Sequence, residues 1–157
     1  MSVEKIREQV FSTFAEMAKN LGYSEVYGRI IACLLVHQEP IALTQVAKET
    51  GYSSPMVSLS IDFLETVGMV KRVKRPGDRK LYLQSNGSLL DGLKKAVLVK
   101  IEKNVSTSLQ EFEKYKEQLK QMKREEKEGL LKAIETLEKE IKRMDSYVKI
   151  LSKIKLP

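Results

Sequence analysis

Six cations, Lys71, Arg72, Lys74, Arg75, Arg79 and Lys80, crowd around the turn-forming run Pro76-Gly77-Asp78, and Asp78 is the one acid among them. Cations at this density suit a phosphate backbone, because every phosphate they neutralise releases condensed counterions. An arginine at the tip of such a loop can also enter a minor groove. Binding of this kind is steeply salt-dependent. The bland alternative is a solvated, lysine-rich hairpin. Met69 to Lys74 and Lys80 to Gln84 read as the two strands that carry the turn.

The stretch before the hairpin supplies a second set of polar groups. A short helix is expected to start at Thr44, whose hydroxyl can cap the first turn, to carry Val46 and Ala47 inward and to end at Gly51. Ala47 and Gly51 are four apart, a spacing that lets a second helix cross closely. Ser53 or Ser54 caps that second helix, with Pro55 in its first turn, where a missing N–H costs nothing. Its apolar stripe is Val57, Ile61, Leu64 and Val67. The remaining face, Met56, Ser58, Leu59, Ser60 and Asp62, offers hydroxyls and a thioether but no cation. Helix, tight turn, helix and basic hairpin, from Leu43 to Leu83, together read as a winged helix-turn-helix.

Composition sets the bounds around this motif. The chain has 157 residues, 42% of them hydrophobic but only 6% aromatic, and lacks tryptophan, so its core must be aliphatic. A formal net charge of +7 and a pI near 9.4 favour a polyanionic partner. Cys33 is the single cysteine, which excludes an internal disulfide and fits a reducing, cytoplasmic setting. Met1 to Asn20 is charged throughout, unlike a secretory signal, and no apolar run approaches the roughly 20 residues of a membrane-spanning helix. With one histidine, His37, and one cysteine, and no further ligand near them in sequence, no zinc site and no cofactor are expected. Paired carboxylates in an apolar setting, a nucleophile motif and a phosphate loop are all missing, which argues against an enzyme.

The remaining segments must position the motif. Val3, Ile6, Val10, Phe14, Met17 and Leu21 form one stripe of an N-terminal helix within residues 1–22. Gly22 ends it, and Ser24 opens a helix that turns Tyr27, Ile30, Ile31, Leu34 and Leu35 inward until Pro40. Gly28 inside that helix costs about 1 kcal/mol against alanine, so a close helix crossing is expected there. Residues 23–86 form the winged domain. Ser88 and Asp91 resemble a capping box, and the helix they open shows no stop before Gly129, which would make it about 60 Å long. A turn over Lys123 to Glu128 then folds back a last helix with Leu130, Ile134, Leu137, Ile141, Met144, Val148 and Leu151 in a coiled-coil rhythm. Two helices cannot cover both sides of such stripes, so residues 87–157 are expected to form a helical dimerisation region. The fold class is therefore mainly α with a small β-hairpin wing.

From Tyr27 to Leu83 the sequence resembles MarR-type winged helix-turn-helix regulators, in particular their GbsR-like branch. The likeness is carried by Tyr27-Gly28-Arg29, Pro40-Ile41, Val57-Ser58-Leu59-Ser60, Leu64, Gly68-Met69-Val70 and Gly77-Asp78-Arg79-Lys80. It implies a homodimer whose recognition helices enter successive major grooves of double-stranded DNA. Carried onto this chain, Ser53, Ser54, Ser58 and Ser60 face the major groove and Arg79 the minor groove. Relatives often have a polar residue where Met56 stands and a basic one where Asp62 stands, so base readout here is expected to be weak or hydrophobic in part. The branch is also linked to choline, and a quaternary ammonium wants an aromatic cage. Tyr23, Tyr27 and Phe11 could contribute to one but read more simply as core, so a small-molecule effector stays open and none is assigned.

The expected DNA-contacting set is thus Thr44, Ser53, Ser54, Met56, Ser58, Ser60, Lys71, Arg72, Lys74, Arg75, Arg79 and Lys80. The expected function is a dimeric DNA-binding transcriptional regulator, a repressor by preference. The competing reading is a winged-helix protein–protein interaction module in a transcription assembly, using the cation-free helix as its contact surface.

Overall fold

A computed structural model describes residues 1–157. In chain order the elements are α1 (Val3–Asn20), α2 (Glu25–His37), β1 (Ile41–Ala42), α3 (Leu43–Thr50), α4 (Ser54–Thr66), β2 (Val70–Val73), β3 (Tyr82–Ser85), α5 (Leu89–Lys120) and α6 (Arg124–Lys153). The result is mainly helical with a small antiparallel sheet, a winged-helix architecture. The chain divides into two units, Met1–Leu93 and Lys94–Pro157, and α5 begins in the first and continues through the second.

In the first unit, Gly28 sets how α1 and α2 meet. A Cβ built there would lie 2.0 Å from the Phe14 carbonyl oxygen and 2.7 Å from the Ala15 amide nitrogen, so only glycine admits the α1 backbone at that distance. The expected close crossing is present. It also decides which face of α1 is buried: Phe11 and Ala15 go inside, while Val3, Ile6, Met17 and Leu21 stay exposed. The stripe read from periodicity is therefore not the packed one. Arg29, next to the crossing, donates both terminal nitrogens to Glu8, each at 2.8 Å, and Nε to the Thr50 carbonyl at 3.3 Å. One guanidinium thus ties α1 and α2 to the end of α3. The hydrogen bonds from Arg29 are the leading reason why the Glu8 carboxyl lies below its usual range.

The local signals of the helix-turn-helix act as the residue types dictate. Gly51 takes a left-handed φ of 80° and donates its amide to the Ala47 carbonyl at 3.0 Å, closing α3. Ser53 caps α4 by accepting the Met56 amide at 3.3 Å, with Pro55 in the first turn. Thr44 is not a cap. α3 begins one residue earlier, behind Ala42, because the Leu43 amide is already taken by the Leu81 carbonyl at 2.9 Å. That contact belongs to a third strand which the two-strand reading lacked: β1 pairs with β3, giving the order β1-β3-β2, with Ile41 opposite Leu83 and Arg72 opposite Leu83 on the other side.

In the second unit α5 ends at Lys120, and the turn is Gln121–Lys123, earlier than the charged run suggested. Gly129 is no stop; it lies inside α6, and nothing is within 4 Å of a Cβ added to it. An isolated glycine costs a helix only about 1 kcal/mol, which a long amphipathic helix with Glu125 and Glu126 in its first turn tolerates. α6 runs back antiparallel to α5, as the ion pair of Lys116 with Glu138 at 3.0 Å and the hydrogen bond from Lys94 Nζ to the Ser152 carbonyl at 3.2 Å require. Ile134 and Val148 are buried, but Leu130, Leu137 and Met144, seven apart on the same helix, are 55%, 53% and 47% exposed. Half of the heptad rhythm is used within the chain and half is left bare.

The two glycines give one substitution with opposite signs. Gly129→Ala is expected to stabilise by about 0.5–1 kcal/mol, because alanine removes backbone freedom from the unfolded chain. Gly28→Ala is expected to cost about 3 kcal/mol, since the helix backbone must part to admit the methyl group. Thermal unfolding of both variants checks this, as a small rise against a fall of about 6–12 °C.

Candidate nucleic-acid interface

Burial fixes the rotation of α4. Val57, Ile61, Leu64 and Val67 are all fully buried, so the helix turns Met56, Ser58, Leu59 and Asp62 outward. Leu59 is 75% exposed, a large apolar side chain held in water at the centre of the helix. Ser60 does not belong to this face. It is 7% exposed, and its hydroxyl donates to the Met56 carbonyl at 2.8 Å, because position 60 follows the buried stripe around the helix rather than the open one. Ser53 is exposed with its oxygen committed to the cap, and Ser54 is half-buried in the first turn. Thr44, in the first turn of α3, is exposed.

The wing cations fall into two groups. Arg72 shares a face of β2 with buried Val70, and this points it at α4, where it pairs with both Asp62 and Glu65. Asp62 and Glu65 on this helix are thereby neutralised by the wing. Arg75 lies over the Tyr82 ring, 4.0 Å from its centroid, and donates to the Pro40 carbonyl at 3.1 Å. Lys71, Lys74, Arg79 and Lys80 are exposed and make no ion pair with any acid of the chain. The six clustered cations therefore resolve into two that build the hairpin and four that remain available.

Asp78, the lone acid of the turn, latches the loop. Its carboxylate accepts the Lys80 amide at 2.9 Å and the Tyr82 hydroxyl at 2.7 Å. Those two hydrogen bonds, the amide first, hold it below the usual carboxylate range, and Tyr82 is raised in turn, chiefly by its bond to Asp78. Gly77 at φ 75° makes the turn. The tip is thus ordered by its own groups, and its free cations project from a fixed frame.

Of the aromatic residues weighed for a cage, Tyr23 and Tyr27 meet each other edge to face at 6.0 Å, and Phe11 makes no ring contact with either. Phe11 is buried, with Arg29 lying 5.6 Å from its centroid, while Tyr23 and Tyr27 pack on Phe63 at 5.3 Å and 5.0 Å. A different cluster was not visible in sequence. Cys33 and His37 of α2 meet Glu49 of α3, whose Oε2 lies 2.7 Å from His37 Nε2 and 3.7 Å from Cys33 Sγ. Burial, then the nearby Glu49 charge, pushes the Cys33 thiol up to about 12. Burial also works to raise Glu49, but hydrogen bonds from His37 and Gln45 bring it below its usual range. Only the fold brings position 49 to the helix that carries the other two.

No family model and no curated protein sequence matches the chain. Among solved structures, it is similar to a transcriptional regulator at TM-score 0.63 and 15% identity, covering 94% of this chain and 96% of that one. A mutant of S. aureus MepR bound to an oligodeoxyribonucleotide aligns at TM-score 0.44 and 16% identity over 85% of this chain and 90% of that one. NadR in complex with 4-hydroxyphenylacetate aligns at TM-score 0.43 and 20% identity, covering 86% and 88%. The first likeness establishes a shared fold along almost the whole of both chains. No helix is long and apolar enough to cross a membrane.

The Arg72 clamp is directly measurable. A double-mutant cycle of Arg72→Ala with Glu65→Ala, followed by urea unfolding, is expected to give a coupling of about 0.5–1 kcal/mol for this half-exposed pair. The coupling should shrink markedly in about 1 M salt.

Proposed function

We propose that the protein is a homodimeric, DNA-binding transcriptional regulator of the MarR type, a repressor acting in the cytoplasm on double-stranded DNA. The observation that carries this reading is the frame just described. Four unpaired cations, Lys71, Lys74, Arg79 and Lys80, stand on an internally latched hairpin that is clamped through Arg72 to the exposed half of α4. In this reading α4 enters the major groove by its N-terminal half. Ser53, Ser54 and Ser58 meet polar edges and phosphates, while Met56 and Leu59 meet thymine methyl groups. Thr44 and the wing lysines hold the backbone, and Arg79 reaches the minor groove. Tyr27-Gly28-Arg29 and Gly77-Asp78-Arg79-Lys80 are the residues on which we place the chain in the GbsR-like branch. Arg72, Arg75 and Ser60 serve the frame rather than the DNA.

Residues 87–157 are assigned the dimerisation role. The bare line of Leu130, Leu137 and Met144 on α6 leaves apolar area in water, at a cost of about 25 cal/mol per Å², and a second copy offers the same line to cover it. The exposed α1 stripe of Val3, Ile6, Met17 and Leu21 is a second self-complementary candidate. Size-exclusion chromatography with light scattering is expected to give twice the 17.9 kDa chain mass, and Leu137→Glu to shift it toward one. A monomeric native protein would overturn the dimer.

DNA binding is tested by the salt dependence of duplex affinity. Lys74→Ala with Arg79→Ala is expected to lower the slope of log K against log salt by about 2, with weakened binding on every sequence. An unchanged slope would refute the assigned role of the wing. In that event the apolar, cation-free face of α4 would favour a protein partner, the interaction-module reading.

A further inference from the structure

The last turns of α2 and α3 collect the chain's single cysteine and single histidine around one carboxylate. Cys33 and His37 are four apart on α2, so both point to the same side, and Glu49 reaches them from α3. The three donor atoms all lie within 4.8 Å of one another. We propose that Cys33, His37 and Glu49 form a binding site for a divalent transition metal of the zinc class, with water completing the coordination.

Geometry and chemistry both support this. Bonds of about 2.0–2.3 Å in a tetrahedral site set donor atoms roughly 3.3–3.6 Å apart. The observed spacings run from 2.7 Å between His37 Nε2 and Glu49 Oε2, through 3.7 Å between Cys33 Sγ and the same oxygen, up to the 4.8 Å limit. They bracket the required value, so side-chain adjustments of under about 1 Å suffice. A thiolate, an imidazole and a carboxylate suit zinc, cobalt or nickel, whereas magnesium and calcium require oxygen ligands throughout.

The surroundings add orientation and access. Gln45 Nε2 donates to Glu49 Oε1 at 2.6 Å, which holds the carboxylate so that Oε2 faces the other two donors, the role an outer hydrogen bond plays in metal sites. Cys33 forms a buried floor, while the His37 and Glu49 side chains keep 25% and 14% exposure, leaving a route from solvent. Thiolate and carboxylate together neutralise a divalent ion. Arg7 of α1 and Arg29 of α2 are the nearby cations that oppose it, and each is engaged by its own acid, Arg7 by Glu4 at 3.6 Å and Arg29 by Glu8 at 2.8 Å. On binding, the thiol proton leaves to solvent, and the Nε2 proton that His37 shares with Glu49 is released while Nδ1 holds the ring's remaining proton, so that Nε2 offers its lone pair. The ion would tie α2 to the first helix of the helix-turn-helix. This inference is independent of the DNA-binding reading.

The test is a cobalt(II) titration of the purified full-length chain, followed by zinc(II) displacement. The expected result is one equivalent of cobalt with a thiolate-to-cobalt charge-transfer band that zinc abolishes. Cys33→Ser should remove the band. His37→Gln and Glu49→Gln should each weaken cobalt binding at least about tenfold. Both glutamine substitutions sit at partly exposed positions, and circular dichroism verifies that each variant is folded. No charge-transfer band in the native protein would overturn the proposal. So would a band whose affinity is the same in both glutamine variants, since that would be binding by the thiol alone.

Discussion

The rotation of α4 about its own axis is fixed by four aliphatic side chains, Val57, Ile61, Leu64 and Val67, none of which can turn outward without leaving the core. Full burial of each is worth about 1.5–3 kcal/mol, so no surface interaction on this helix can compete with them. Everything at the candidate interface follows from that constraint. It presents Met56, Ser58 and Leu59 to solvent, and it removes Ser60 from the open face. It also brings Asp62 and Glu65 to the side where β2 passes, so that Arg72 finds two carboxylates within reach. The wing is held beside the helix because the core permits no other rotation.

Seen this way, the charge of the hairpin has two uses that a residue count merges. Arg72 and Arg75 are structural: one closes on α4, the other lies on Tyr82 and reaches the Pro40 carbonyl. Asp78 is structural too, since it accepts the Lys80 amide and the Tyr82 hydroxyl and so keeps the loop from splaying. A loop ordered in advance loses less conformational entropy on meeting a ligand than a floppy one. The cations left over, Lys71, Lys74, Arg79 and Lys80, then act as a fixed array rather than a diffuse cloud.

What could be read from the sequence was what depends on neighbours along the chain. Gly51, Ser53, Pro55 and the 57-61-64-67 spacing act locally, so the helix-turn-helix was legible. Gly28 was also legible as a candidate for close helix approach, which the α1 backbone makes there, whereas Gly129 has no such neighbour. Most of the misses are non-local. β1 is two residues long and exists through its pairing with β3, which also moved the start of α3 ahead of Thr44. α1 carries two apolar lines, and only the crossing at Gly28 selects the one through Phe11 and Ala15. The turn between α5 and α6 was displaced because charge density and a glycine resemble a break, yet both are tolerated inside a long exposed helix. Glu49 joins Cys33 and His37 only once α3 has packed on α2.

The central claim is that the outer half of α4 and the free wing cations form one surface for duplex DNA. Amide chemical-shift mapping of the labelled protein with a random-sequence duplex tests this most directly. The account predicts perturbations concentrated at residues 53–59 and 71–80, fading as salt rises. Perturbations centred instead on the exposed line of Leu130, Leu137 and Met144, or none at all at low salt, would contradict it.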